Sequence, residues 1–135
     1  MTDTFEHGAL KLQKRKPIIF AAHSKASFYF RAHISKFILE QGGVPINPFM
    51  SFDYFLTDSI DRDIVREANN NLVRISEELW VFGPIADGVL AEIQQAKKQE
   101  KSIRYFNIVK SRDIVETSSS DAIMEEGLEQ YRGQL

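Results

Sequence analysis

Four short apolar runs, separated by stretches of helical spacing, constrain the fold of this chain more than any other feature. Pro17-Ile18-Ile19-Phe20-Ala21-Ala22 is continuously apolar, as expected of a strand buried on both faces of a sheet. Phe30, Ile34, Phe37, Ile38 and Gln41 then recur at helical spacing and stop at Gly42-Gly43, a C-cap signal. Val44-Pro45-Ile46 reads as a second strand, and Pro45, which cannot donate to a ladder, puts it at an edge. Asn47 to Leu56 reads as an aromatic-rich loop, and Asp58 opens a long helix with a stripe of Val65, Ala68, Leu72, Ile75 and Leu79. Leu79-Trp80-Val81-Phe82 is the third strand, followed by a helix from Asp87 that buries Val89, Ile93 and Ala96. Ile103 to Ile108 is the fourth strand; Ser118-Ser119-Ser120 then turns into a last helix around Ala122 to Tyr131.

Strands alternating with helices imply βαβ units and a sheet covered on both faces. The expected architecture is therefore α/β: a small single-domain, three-layer flavodoxin- or Rossmann-like fold with a mainly parallel sheet of four to five strands. Residues 1–16 form a polar lead-in and 17–135 the domain. Ligands of such open sheets bind beyond the carboxyl ends of the strands, here Ala22-His23-Ser24, Asn47-Pro48-Phe49, Gly83-Pro84-Ile85 and Asn107-Ile108-Val109.

Charge and composition remove several function classes. A net charge of -2 over 135 residues gives no electrostatic case for nucleic acid or an anionic membrane surface, and the basic run Lys11 to Lys16 reads as a solvated lead-in. Without cysteine, disulfides, Cys-ligated zinc and thiol catalysis drop out. No apolar run approaches the ~20 residues that cross a bilayer, and the first sixteen residues lack the apolar core of a secretory signal. The expectation is a cytoplasmic protein with no membrane or nucleic-acid partner.

Chemistry concentrates around the third strand. Val81-Phe82-Gly83-Pro84-Ile85-Ala86-Asp87-Gly88-Val89-Leu90-Ala91-Glu92 reads as strand, tight turn and helix. Glu92 follows Gly88 by one helical turn, so its neighbour on that face has no side chain and a ligand could approach the backbone. No dinucleotide fingerprint, Walker lysine or nucleophile elbow is present. His7, His23 and His33 lack metal-ligand spacing, so neither a metal nor a cofactor is expected. His23, at a strand's carboxyl end, either touches a ligand or caps the turn. Ser24 and Ser27 suit helix capping, and the N–H groups behind them could also hold a phosphate or ribose hydroxyl. Asp58, Asp61 and Asp63 fit helix-dipole complementation better than a metal site. Asn69, Asn70 and Asn71 are poor helix formers in a helix interior, and Asn70 and Asn71 are candidates to bond a sugar or base; a tolerated polar face is the alternative. Phe49, Phe52, Tyr54 and Phe55 form either a lid over a planar ligand or a plug on the core or a subunit seam.

With these residues assembled, the chain resembles the nucleoside 2-deoxyribosyltransferase-like superfamily, which includes the deoxyribosyltransferases and the nucleoside 5′-monophosphate N-glycosidases. The resemblance runs from about Ile18 to Ile108 and is carried most by Glu78-Leu79-Trp80-Val81-Phe82-Gly83 followed by Asp87-Gly88-Val89-Leu90-Ala91-Glu92-Ile93. It implies that Glu92 attacks the anomeric carbon of a nucleoside or nucleoside 5′-monophosphate, and that water or a second base resolves the glycosyl-enzyme. It implies a sugar contact at Asn70 or Asn71, where members carry an aspartate. Stacking on the base would fall to Phe20, Phe49 and Phe52, and ribose or phosphate contacts to His23, Ser24 and Lys25. Gly83, Asp87 and Gly88 would line the turn, and Ser119 stands for the group that a neighbouring subunit supplies in several members. A homodimer is implied. A dipole and free N–H groups near the helix start are expected to keep Glu92 ionised. The other readings are a non-catalytic nucleotide-binding or sensing domain on the same scaffold, and a structural interaction module.

Overall fold

Residue alternation in the central strands sorts the core into two layers. The computed structural model describes residues 3–52 and 54–135, with the side chains of residues 54, 55 and 57 outside the described part. In β1 (Ile18–His23), Ile19 and Ala21 face one cluster while Phe20 and Ala22 face the other. In β3 (Glu78–Gly83), Trp80 and Phe82 join the first cluster, and Leu79 and Val81 the second. This is the period-two geometry of strands buried on both faces. The first cluster is covered by α1 (Arg31–Glu40) through Ile34 and Ile38. The second is covered by α4 (Arg62–Ile75) through Val73 and by α5 (Asp87–Lys98) through Val89, Ile93 and Ala96.

The sheet has five strands in the order β2-β1-β3-β4-β5, with β2 Val44–Ile46, β4 Ser102–Val109 and β5 Asp113–Thr117. Every pairing is parallel except β4 with β5, which is an antiparallel hairpin. The chain is thus a small Rossmann-like α/β fold with helices on both sheet faces, as the sequence implies, and Pro45 lies on an edge strand. Gly42 adopts φ +90 after α1, the left-handed conformation that a helix C-terminus favours. Among the described residues no helix is long and apolar enough to cross a membrane.

Besides β5, which the sequence reading does not list, four features differ from it. The aromatic loop contains two short helices, α2 (Pro48–Ser51) and α3 (Tyr54–Ser59), and Asn47 caps the first by accepting the Phe49 N–H at 3.1 Å. Asp58 lies in α3, so the long helix starts at Arg62 with Asp61 as its N-cap. Its buried face is also shifted relative to the expected stripe: Leu72 packs on the core as expected, but Val73 is fully buried and Ile75 is 57% exposed. Finally, Ala122 to Tyr131 is not an α-helix. Residues 118–135 form a strap ending in a 3-10 turn at Glu129–Gln134.

The strap is fastened along its length. Met124 bridges Ile85 in parallel register, with Ile85 N–H to Ile123 O at 2.8 Å and Glu125 N–H to Ile85 O at 3.0 Å. The Asn107 side chain donates to Asp121 O and accepts from Ile123 N–H at 2.9 Å. Arg132 donates to the carbonyls of Ser119 and Ser120, and Lys97 to those of Gln134 and Leu135. A Cβ on Gly83 would lie 2.9 Å from Ile123 O, so glycine is what lets the strap approach the end of β3.

Candidate functional site

A cleft of about 1070 Å³ opens beyond the carboxyl ends of β1 and β3, between α2 and the facing sides of α4 and α5. On α5 its wall is Gly88, Ala91, Glu92 and Gln95; on α4 it is Arg62, Val65, Arg66, Asn69 and Asn70. Spacings of three and four put each set on one helical face. Nothing lies within 4 Å of a Cβ built on Gly88, so the backbone beside Glu92 is open to the cleft.

Glu92 lies six residues after the Ala86 N-cap of α5, past the first turn over which the dipole acts. Burial dominates its chemistry and pushes the carboxyl up to about 7, against the opposing effect of a hydrogen bond from Asn69. The expectation that the helix start holds Glu92 fully ionised is therefore corrected: desolvation disfavours the charged form more than its single donor favours it. That donor is Asn69 Nδ2, 2.8 Å from Oε2. The amide is thereby oriented, because its nitrogen must face the carboxyl. Asn69 Oδ1 is buried and has no hydrogen-bond partner among the described residues; Ser24 Oγ, on the opposite wall, is in the same state. Buried polar atoms are nearly always paired, so these two orphans mark the places where a ligand's donors would gain most.

The β1 side of the cleft is aromatic. His23 is buried, its ring 4.7 Å from that of Phe49, and Phe28 meets Phe49 edge-on at 5.9 Å. Burial holds the His23 imidazole below its usual value, although bonds to Asn47 and Ser24 oppose this. With Nε2 3.1 Å from Asn47 Oδ1, His23 fixes the turn into α2 and carries Phe49 on its face. Ser24 does not cap the following 3-10 turn (Lys25–Phe30) with its side chain. Phe52, Lys25, Asp58, Asp87 and Glu125 complete the lining.

The cleft thus gathers Glu92, Asn70, His23, Ser24, Lys25, Phe49, Phe52, Asp87 and Gly88 from the residues expected in the site. Four others are elsewhere. Phe20 is wholly buried in the core, since its place in β1 points it under α4 and α5, and it cannot stack on a ligand. Gly83 is covered by Ile123 and Asn107. Asn71 is exposed and bonds Glu67 O and Arg74 within its own helix. Ser119 lies in the strap, its carbonyl bonded to Arg132. Asn70 bonds Gln95 at 2.7 Å across the helix pair rather than Glu92. Tyr54 and Phe55 side chains lie outside the described residues. Asn69, Phe28, Arg62, Arg66, Gln95 and Glu125 are among the lining residues to which the sequence assigned no role. Among the described residues no group of three His, Cys, Asp or Glu is arranged to hold a metal ion.

Residues 19–106 match a family described as a domain of unknown function (DUF7768). The chain belongs to the DUF7768 family. The matched span carries β1, β3, both cleft helices and all of the lining except Glu125, which lies in the strap outside it. A comparison with curated proteins finds no match.

Proposed function

We propose that this DUF7768 protein cleaves or transfers at the N-glycosidic bond of a nucleoside or nucleoside 5′-monophosphate, with Glu92 as the attacking carboxylate. The observation that carries the reading is Glu92 itself: a desolvated acid at the wall of a large cleft, held by one amide, beside a glycine that leaves room for a substrate. In its ionised form Glu92 attacks the anomeric carbon as the bond to the base breaks. The transition state is oxocarbenium-like, and a nearby negative charge stabilises it. Phe28, Phe49 and Phe52 offer faces for the departing planar base, and Lys25, Arg62 and Arg66 supply positive charge for a phosphate. The proposal extends to a cytoplasmic location, with no cysteine in the sequence, and to the homodimer that the resemblance implies.

One observation favours a second reading, nucleotide binding without turnover. Asn70 and Asn71 stand where the resemblance implies an aspartate, and an amide can hold a hydroxyl but cannot carry a proton. Incubation with a panel of nucleosides and 5′-monophosphates, with chromatography of free base, separates the two. Base release by the wild type and none by Glu92→Gln supports catalysis. Ligand-induced thermal stabilisation without base release supports binding alone.

A further inference from the structure

Glu125 enters the cleft from outside the family-matched residues, on a strap held at this point by backbone bonds to Ile85. The bonds between Ile85 and both Ile123 and Glu125 lock its backbone to the turn just ahead of α5, and the missing Cβ of Gly83 admits the strap there. The Glu125 carboxyl has no hydrogen-bond or ion-pair partner among the described residues, and it is partly buried. Five helical steps separate Asp87 from Glu92, about 7.5 Å at 1.5 Å each. Glu92 and Glu125 both line the cleft, one from α5 and the other from the strap.

The start of α5 would ordinarily attract an anion through its free N–H groups. Here the Asp87 carboxylate already accepts the Gly88 N–H at 2.8 Å, and Glu125 adds a second carboxylate to the same end of the cleft. The positive side chains, Lys25, Arg62 and Arg66, come from the other elements, the end of β1 and the first turns of α4. Asp58 joins them in the lining, and Arg66 is paired with Asp63 at 3.3 Å. We propose that Glu125 is a specificity-determining residue: it accepts a hydrogen bond from a neutral sugar hydroxyl, and it keeps phosphate away from the N-terminus of α5. Any phosphate on the substrate then lies against Lys25, Arg62 and Arg66 instead. This inference rests on the nucleoside reading above and names the groups that meet the sugar and the phosphate.

Calorimetric titration of wild type, Glu125→Gln and Glu125→Lys with a ribonucleoside, its 5′-monophosphate and inorganic phosphate tests it, with base release followed in parallel. Melting curves check that both variants fold. Glu125→Gln should weaken nucleoside binding about tenfold, the size expected for losing a bond to a charged acceptor. Glu125→Lys should bind inorganic phosphate more tightly than the wild type. Unchanged nucleoside affinity in Glu125→Gln, or no phosphate gain in Glu125→Lys, overturns the role of Glu125. Base release that persists in that case leaves the catalytic reading standing. A wild-type protein that binds neither nucleoside nor monophosphate overturns both.

Discussion

Asn69 donates its amide N–H to Glu92 at 2.8 Å across the α4–α5 interface, and no other side chain is hydrogen-bonded to that carboxyl among the described residues. The bond offsets part of the burial effect that holds the Glu92 carboxyl up near neutrality. A hydrogen bond to a charged group is worth about 1.5–3 kcal/mol, or about one to two pH units. In base-release assays, kcat/KM should therefore rise with pH along a limb centred near 7. Asn69→Ala should move that limb upward by about a unit, and Asn69→Asp further, because a second carboxylate opposes ionisation of the first. A limb that stays in place in both variants would show that Asn69 does not tune Glu92.

The same shift has a cost in stability with a definite sign. Glu92 titrates near 4.5 when unfolded and near 7 in the fold. Between these values the folded state holds a proton that the unfolded state has released, so the contribution of Glu92 is fully present below 4.5 and is lost as pH rises through 7. The span is on the order of 3 kcal/mol. His23 works in the other direction: held low by burial, it costs stability as pH falls below 6.5. Denaturant unfolding of Glu92→Gln against wild type isolates the glutamate. The variant should be relatively more stable at pH 8 than at pH 5, and a difference constant across that range would sink the assignment.

Gly88 separates room for a ligand from room for a side chain. A Cβ at this position would have nothing within 4 Å, and the backbone has no positive φ, so Gly88→Ala should stabilise α5 by about 0.5–1 kcal/mol. Gly88→Leu should still fold but should fill the cleft beside Glu92. Thermal shift by a nucleotide should survive in the first and vanish in the second. Equal ligand response in both would place the ligand elsewhere.

Gly83→Ala tests the strap. Its Cβ would meet Ile123 O at 2.9 Å and Asn107 Oδ1 at 3.3 Å, and relief requires the backbone to move. A loss of about 1–3 kcal/mol is expected, as for overpacked sites. Hydrogen exchange should quicken at the Ile85 and Glu125 amides, whose bonds cross that contact. Unaltered protection at both would mean that the strap is held without the glycine's help.

Most of the sheet is legible in the sequence because burial on both faces leaves an unbroken apolar run, as in Ile19 to Ala22 and Leu79 to Phe82. β5 is not: its Ile114 is half-buried and the rest largely exposed, so neither apolar run nor clean alternation betrays it. The strap reads as a helix because its fastening comes from Asn107, Gly83 and Ile85, far away in sequence. Glu92 is legible from its spacing to Gly88. Asn69 does not stand out from its neighbours, although Val65, Asn69 and Val73 recur at intervals of four and a phase anchored on Val73 turns Asn69 inward. A stripe that runs through Ile75 to Leu79 hides that.

The two-sided core has a practical consequence for such measurements. Trp80 is the only tryptophan. It packs 5.3 Å from Phe106 and under the Arg104 guanidinium, on the sheet face covered by α1. Glu92 and its cleft belong to the other face. Indole emission will therefore report melting of the α1 layer while staying silent as the cleft fills, making this protein its own internal reference for telling unfolding apart from occupancy.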